Sequence, residues 1–145
     1  MTEPAYGATA LPEMYEAWAK NGMIANIGSR MIDVGPGTLV LEAHLSPERH
    51  GFPTSRGLIA HGGAIATLAD EALATVAFTL AVEGEATATS SLQVDYYKPA
   101  SPGRLVARAT VRHRTKRLAY CHATVEQGEG EIVAEARAVI AYIRP

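Results

Sequence analysis

The residues best suited to take part in a reaction are the triplet His61-Gly62-Gly63 and the acid Asp70, nine positions after the histidine. The triplet stands where a polar loop gives way to a long apolar segment that we predict to be a helix. Two glycines in the first turn of a helix let a ligand approach the backbone, where unpaired N–H groups and the positive end of the helix dipole stabilise developing negative charge. Asp70 lies inside the apolar segment, where a carboxylate is costly unless it is paired or used in a reaction.

The spacing between Gly62 and Asp70 limits how they can act together. They are eight residues apart, which corresponds to about 12 Å along a helix. Because that is too far for both to contact one carbonyl carbon, the two residues would have to come from different subunits if both act on one substrate. The spacing therefore predicts a homodimer with an active site across its two-fold axis. The residues one helical repeat from Asp70 on the same face are all small, which leaves room for a substrate: Gly63, Ala66, Ala74 and Ala77.

The elements that position these residues follow from hydrophobic patterning. Residues 62–82 are nearly apolar all round, with Asp70 and Glu71 as the only charges, so the predicted helix must be buried on most sides. Two adjacent carboxylates near its middle argue against a membrane span, and we expect Glu71 to face another subunit or solvent. A short helix is predicted at residues 11–21, and residues 46–57 are predicted to be a loop. The predicted strands are 24–34, 38–45, 86–97, 104–113, 118–127 and 131–142.

Short turns between the successive strands predict an antiparallel meander. The predicted fold class is therefore α+β, with one curved antiparallel sheet wrapped around one long central helix and a short N-terminal helix. We expect a single domain over residues 1–145, since one domain commonly has about this length.

Composition excludes several classes of function. The single cysteine, Cys121, cannot form an internal disulfide or a Cys-rich metal site, and we interpret it as a buried structural thiol. A net charge of −2 argues against a nucleic-acid or anionic-membrane partner. The N-terminal residues lack the pattern of a signal peptide, so we expect a cytoplasmic protein. The histidines show no ligand spacing, and we expect neither a metal nor a cofactor.

Two runs of sequence resemble the PaaI-type acyl-CoA thioesterases of the hotdog superfamily: GLIAHGGAIATLADEALATVA and SSLQVDYYKPASPGRLVARATVRHRTKRLAYCHATV. The resemblance depends on HGG followed by the acid, on a Tyr-x-x-Pro-Ala turn after a strand, and on a basic turn leading into Leu-Ala-Tyr. It extends from Leu39 to the C-terminus, about three-quarters of the chain. It implies the hotdog fold and hydrolysis of an acyl-CoA to free acid and CoA, with CoA as part of the substrate. It also implies dimers with shared active sites, assembled as a dimer of dimers.

The resemblance also implies roles for individual residues. Asp70 would be the general base that activates water, or the nucleophile that forms a mixed anhydride. The Gly62 backbone N–H would polarise the thioester carbonyl, and His61 would shape the entrance to the helix rather than act as the base. Thr89, ten residues before Pro99, would orient the water.

Substrate contacts are expected on both sides of this centre. Gly63 would line the substrate, and the basic turn of Arg114, Lys116 and Arg117 would bind the CoA phosphates, because guanidinium and ammonium groups pair well with phosphate. The groove of small residues beside Asp70 and its apolar neighbours Ile65, Leu68 and Phe78 suggest an apolar acyl group, such as an aryl-acetyl or medium-chain group.

One loop departs from the family pattern and leaves alternatives open. The family commonly has an asparagine six residues before the histidine, where this chain has Ser55, and the loop glycine, Gly57, is one place early. Either Ser55 or Thr54 takes the asparagine's role, or the role is absent. A non-catalytic module that binds acyl-CoA is therefore the alternative to an enzyme. A hydratase is less favoured, since the known hotdog hydratases commonly use an Asp/His pair on a differently patterned loop and helix.

Overall fold

The computed structural model describes residues 6–144, which form four helices and eight strands. The helices are α1 (Tyr6–Trp18), α2 (Gly22–Asn26), α3 (Pro47–His50) and α4 (Gly62–Phe78). The strands are β1 (Arg30–Gly35), β2 (Thr38–His44), β3 (Gly51–Thr54), β4 (Gly57–Ala60), β5 (Ala86–Tyr96), β6 (Arg104–Arg114), β7 (Leu118–Gln127) and β8 (Glu131–Ile143). Six strands form one antiparallel sheet in the order β1-β2-β6-β7-β8-β5, and β3 pairs with β4 in a separate hairpin.

Helix α4 packs across one face of the six-stranded sheet, and this contact forms the core. Leu68, Leu73 and Val76 of α4 have no exposed surface. Alternate residues of each strand face the helix because side chains along a strand alternate between its two faces; in β7 these are Ala119, Cys121, Ala123 and Val125, all buried. The prediction of one antiparallel sheet around one long helix is confirmed. Burial raises the pKa of the Cys121 thiol to about 12, as expected for a structural cysteine.

The N-terminal part differs from the prediction in two places. Helix α1 begins at Tyr6 rather than residue 11, because the N–H groups of Gly7 and Ala8 donate to the carbonyls of Ala81 and Thr79 beyond the end of α4. The strand predicted from residue 24 is wrong at its start. Helix α2 occupies that position, beginning at Gly22 with its positive φ of 68°, and β1 begins only at Arg30.

Helix α4 is shorter than predicted and ends at Phe78. The Thr79 hydroxyl donates to the Val76 carbonyl at 2.6 Å, and the Leu80 N–H donates to the Ala77 carbonyl, so the last turn tightens and the helix stops. Over residues 6–144 no helix is long and apolar enough to cross a membrane.

The predicted loop at 46–57 contains α3 and most of the β3–β4 hairpin. Ser46 accepts the Arg49 N–H at 3.0 Å as the N-cap of α3, with Pro47 at its first position. The predicted meander is correct only for β6, β7 and β8. Strand β5 pairs with β8 instead of β6, which places β5 at an edge of the sheet alongside α4.

Candidate active site

Asp70 and Thr89 are in direct contact. The Thr89 hydroxyl donates to Asp70 Oδ1 at 2.6 Å, although the residues are 19 positions apart. The contact arises because α4 lies against β5, and a register shift between Thr89 and Ser91 interrupts the pairing with β8 at this point. Asp70 is partly exposed, so one carboxylate oxygen is fixed while the group remains reachable from solvent.

His61 caps α4, and the peptide between Gly62 and Gly63 is held from both sides. His61 Nδ1 accepts the Gly63 N–H at 2.8 Å, and the Tyr96 hydroxyl donates to the Gly62 carbonyl at 2.6 Å. The Gly62 N–H, in contrast, has no hydrogen-bond acceptor within residues 6–144. Of the two glycines, it is therefore Gly62 that presents a free backbone donor at the positive end of the helix.

Gly63 serves this arrangement through its lack of a side chain. A Cβ at Gly63 would lie 3.1 Å from His61 Nδ1, a tight contact that would disturb the cap. The Gly63 N–H is already bound by His61. Gly63 can therefore contribute to the predicted substrate binding only by leaving space where a side chain would stand.

The backbone of His61 is fixed by a second histidine. The His61 N–H donates to the His50 carbonyl at 2.7 Å. The His50 ring accepts the Ser46 N–H on Nδ1 at 2.9 Å, so its proton is assigned to Nε2, which lies 2.8 Å from Asn26 Oδ1. Burial, aided by the charge of Arg49, lowers the pKa of His50, consistent with a neutral ring.

Sequence reasoning missed this support. Tyr96 lies in the Tyr-x-x-Pro-Ala segment and is easily interpreted as a packing residue, yet its hydroxyl fixes the helix entrance. The Tyr-x-x-Pro-Ala signal that supports the family resemblance was therefore the clue to it. His50 and Asn26 gave no signal, because they are 24 residues apart and meet only in the folded chain.

Glu71 is half-buried, and its carboxyl group lies toward α1; a contact with another subunit stays a prediction. The Thr75 hydroxyl donates to Glu71 Oε1 at 3.1 Å, and Tyr15 of α1 lies next to the same carboxyl group. Burial, with a smaller contribution from the charge of Asp70, raises the pKa of Glu71. Tyr15 in turn shares a 2.7 Å hydrogen bond with Ser29, so Glu71 belongs to the packing of α1 against α4.

Ser55 and Thr54 lie at the tip of the β3–β4 hairpin. The Thr54 hydroxyl donates to the Gly57 carbonyl at 2.6 Å and stabilises the turn. Ser55 is exposed in that turn. Four residues of β4 separate the turn from His61, which corresponds to roughly 13 Å along a strand. Within the described chain, neither side chain forms a hydrogen bond with Asp70 or Gly62.

The three cations of the predicted phosphate-binding turn differ in availability. Arg114 donates to Glu85 Oε1 at 3.0 Å and to the Leu80 carbonyl, and its guanidinium lies 3.7 Å from the centre of the Tyr142 ring. Burial alone would raise the pKa of Glu85, but the Val82 N–H and Arg114 together lower it. Arg114 thus ties the segment after α4 to the sheet, and its side chain is only 21% exposed; its predicted contact with CoA phosphate stays a prediction.

Lys116 and Arg117 remain exposed. Together with Arg144, which the sequence did not single out, they line a cavity of about 440 Å³ at the C-terminal end of α4. A second cavity, of about 520 Å³, adjoins the N-terminal end of α4 at Gly62 and Gly63. Apolar and aromatic side chains line much of this second cavity, including Ile59, Ile65 and Tyr96.

Replacing His61 tests whether it acts as a cap. His61→Asn keeps a side-chain acceptor for the Gly63 N–H, whereas His61→Ala removes it. Loss of an N-cap typically costs about 1 kcal/mol, so urea denaturation should show this loss of unfolding free energy for the alanine variant and little change for the asparagine variant. Acyl-CoA hydrolysis, the activity that the resemblance implies, should follow the same order. Equal inactivation of both variants with unequal stability would instead make His61 a proton carrier.

Comparison with known proteins identifies the family of the chain. Residues 58–134, just over half of the chain, match the sequence profile of the Thioesterase superfamily. No curated protein sequence matches significantly. The PaaI protein from the phenylacetic acid degradation operon of E. coli is 25% identical, with a TM-score of 0.78 over 97% of this chain and 96% of that one.

Two further structures are similar in fold. A thioesterase family protein from Silicibacter pomeroyi is 24% identical, with a TM-score of 0.80 over 93% of this chain and 98% of that one. A thioesterase from Haemophilus influenzae is 16% identical, with a TM-score of 0.82 over 92% of this chain and 90% of that one. The chain belongs to the Thioesterase superfamily and has the hotdog fold that its resemblance to the PaaI-type enzymes implied.

Proposed function

We propose that the protein hydrolyses an acyl- or aryl-acyl-CoA thioester to the free acid and CoA. The observation that carries the proposal is the pair of prepared groups on α4, namely the Asp70 carboxylate held by Thr89 and the free N–H of Gly62. A thioester has a good leaving group, so one carboxylate and one oxyanion donor can suffice for its hydrolysis.

The contacts of β5 support an active site shared between two subunits. Along α4, the midpoint between Gly62 and Asp70 is Ala66. Along β5, Tyr96 contacts Gly62 and Thr89 contacts Asp70, and the midpoint of that pair falls between residues 92 and 93. A single two-fold axis through both midpoints would bring Gly62 of one subunit opposite Asp70 of the partner subunit.

The sheet offers an edge for such a dimer. Strand β5 spans 11 residues and, within the described chain, pairs only with β8. A long free edge presents unpaired N–H and C=O groups that need a partner. Antiparallel pairing of β5 with its copy about residues 92 and 93 would satisfy them and would cover Leu92, which is 38% exposed.

The chemistry follows from these positions. The thioester oxygen would accept the Gly62 N–H, and the end of the helix dipole would stabilise its negative charge as the carbonyl is attacked. Asp70 of the partner subunit would either take a proton from the attacking water or attack the carbonyl itself to form a mixed anhydride that water then cleaves. In both routes the C–S bond breaks, the CoA sulfur leaves as thiolate and gains a proton, and Thr89 keeps the carboxylate oriented.

The two ends of the substrate would use the two cavities at the ends of α4. The acyl group would occupy the apolar cavity beside Gly62, which suits an aryl-acetyl or medium-chain group. The CoA phosphates would contact Lys116 and Arg117, with Arg144. From Asp70 to the end of α4 is eight residues, or about 12 Å, so the phosphates would bind the subunit that supplies Asp70. Ser55 remains the candidate for a carbonyl or water contact.

Asp70→Asn and Thr89→Val test the proposed acid and its orienting hydroxyl. Removal of a general base typically costs about 10²–10⁴-fold in rate, so Asp70→Asn should lose most activity, whereas Thr89→Val should lower kcat with little change in KM. The measurement is release of free thiol from a panel of acyl- and aryl-acyl-CoA esters. If wild type and variants bind the esters and none hydrolyses any of them, the protein is a binding module.

Gly62→Pro tests the proposed oxyanion donor, because proline removes the backbone N–H from this position and adds only the carbon atoms of its ring. Proline is favoured at the first position of a helix, and the φ of −58° and ψ of 133° at His61 suit a residue before proline. Loss of one oxyanion donor typically costs about 10²–10³-fold in kcat.

Gly62→Ala is the matched control for that variant. It keeps the N–H, and its Cβ would lie 3.5 Å from the Tyr96 ring, an ordinary contact. The alanine variant should therefore stay close to wild type, and equal activity of the proline and alanine variants would exclude Gly62 as the donor.

A further inference from the structure

The face of the sheet opposite α4 carries a cavity of about 570 Å³ that the proposed thioester chemistry does not use. It spans β5, β8, β7 and β6. Cys121 and Ala138 point toward α4, so their neighbours along the strands point outward into this cavity. The side chains that matter for its chemistry are Ser91, Gln93, Arg112, Tyr120, His122 and Arg137. A volume of this size lies within the usual range of about 300–1,000 Å³ for small-molecule sites.

The two arginines of this cavity, Arg112 and Arg137, lack carboxylate partners. Elsewhere on the same face, Arg104 pairs with Glu42 at 2.6 Å and Arg108 pairs with Glu126 at 3.0 Å. Within residues 6–144, Arg112 and Arg137 have no carboxylate oxygen within 4.0 Å of a guanidinium nitrogen.

The cavity therefore presents two guanidinium groups that have no ion-pair partner among the described residues. Glu135, two residues before Arg137 on β8, lies beside them: hydrogen bonds from Tyr97 and His122 lower its pKa, and the charge of Arg137 contributes to that shift. Arg112 on β6 and Arg137 on β8 are two strands apart, which corresponds to about 10 Å between the backbones. Their long side chains can converge on one anion. Guanidinium groups bind phosphate through paired N–H donors, so phosphate is the anion that best suits this pair.

An aromatic surface lies between the two arginines. Tyr120 on β7 is 43% exposed, and its ring is tilted by 36° against that of His113, with 6.2 Å between the ring centres. An exposed aromatic ring of this kind can stack with a flat heterocycle. The Ser91 hydroxyl and the Gln93 amide add hydrogen-bonding groups on the β5 side.

We propose that this cavity binds a nucleotide, with its phosphates on Arg112 and Arg137 and its base stacked on Tyr120. The sheet separates the cavity from Asp70, so this site is distinct from the proposed thioester site. Pairing of β5 with its copy would use backbone groups at the strand edge and would leave Ser91 and Gln93 facing outward. The cavity and its copy would then lie close together beside the two-fold axis.

The nucleotide chemistry has two sources, a free nucleotide or the adenosine phosphate end of a CoA molecule. Titration calorimetry on the purified chain with ADP, with CoA and with inorganic phosphate separates them. ADP should bind, and Arg112→Gln with Arg137→Gln should weaken its Kd at least about tenfold, an amount equal to 1.4 kcal/mol. If the adenosine phosphate end of CoA is the source, CoA should compete with ADP, and the double variant should weaken CoA binding. If a free nucleotide is the source, CoA should not compete with ADP, and the double variant should leave CoA binding unchanged.

Controls on the same face make the result specific. Arg108→Gln removes a paired arginine outside the cavity and should leave ADP binding unchanged. Tyr120→Leu should weaken the binding of ADP and leave the weaker binding of inorganic phosphate unchanged. The proposal is overturned if ADP does not bind at millimolar concentration, or if Arg108→Gln weakens it as much as the double variant. It is also overturned if the double variant changes the oligomeric state while ADP does not bind to wild type, because the cavity is then a subunit interface. None of these readouts depends on thioester hydrolysis.

Discussion

Helix α4 is apolar on nearly every side, and the need to bury it organises the rest of the chain. Full burial of one large aliphatic side chain contributes about 1.5–3 kcal/mol, and Leu68, Leu73 and Val76 are all completely covered. Burial on this scale requires the sheet on one side and α1 on another. It also requires partners for the backbone groups at both helix ends, which His61 provides at the start and the first turn of α1 provides beyond the end.

The same constraint makes the polar groups that remain on α4 informative. At its entrance, the peptide after Gly62 is fixed by His61 and Tyr96, which leaves the Gly62 N–H as the unused donor. In the middle of α4, Asp70 faces the edge strand β5 and accepts a hydrogen bond from Thr89, whereas Glu71 packs beside Tyr15 of α1. A free backbone N–H and a carboxylate thus lie on one helix, too far apart to contact one carbonyl within a single chain.

The parts of the fold that depend on local pattern could be predicted from the sequence. The HGG turn, the start of α4 and the extents of β2, β6, β7 and β8 follow from glycine, charge and side-chain alternation. The pairing of β5 with β8 could not be predicted, because strand order depends on contacts between distant segments. Helix α2 could not be predicted either, since a single helical turn has too few residues to show a period.

The residues of the candidate site could be proposed from the sequence, but their contacts with one another could not. Asp70 and Thr89 were both identified, whereas their direct hydrogen bond depends on how α4 lies against β5. Arg114 looked like an exposed cation in a turn. Its hydrogen bonds to Glu85 and to the Leu80 carbonyl depend on where the chain leaves α4. The residues around Arg114 in the sequence do not indicate that position. For the same reason Tyr96 looked like a packing residue.

The central claim is that one active site takes Gly62 from one subunit and Asp70 from its partner, and mixed assemblies test it most directly. Gly62→Pro and Asp70→Asn subunits, each inactive alone, would be co-expressed in equal amounts and assayed for thioester hydrolysis. Random assembly would leave about a quarter of the sites with both groups intact if they come from different subunits, and activity should recover to about that fraction of wild type. Activity no higher than that of the separate variants would show that no working site forms between subunits and would contradict the account.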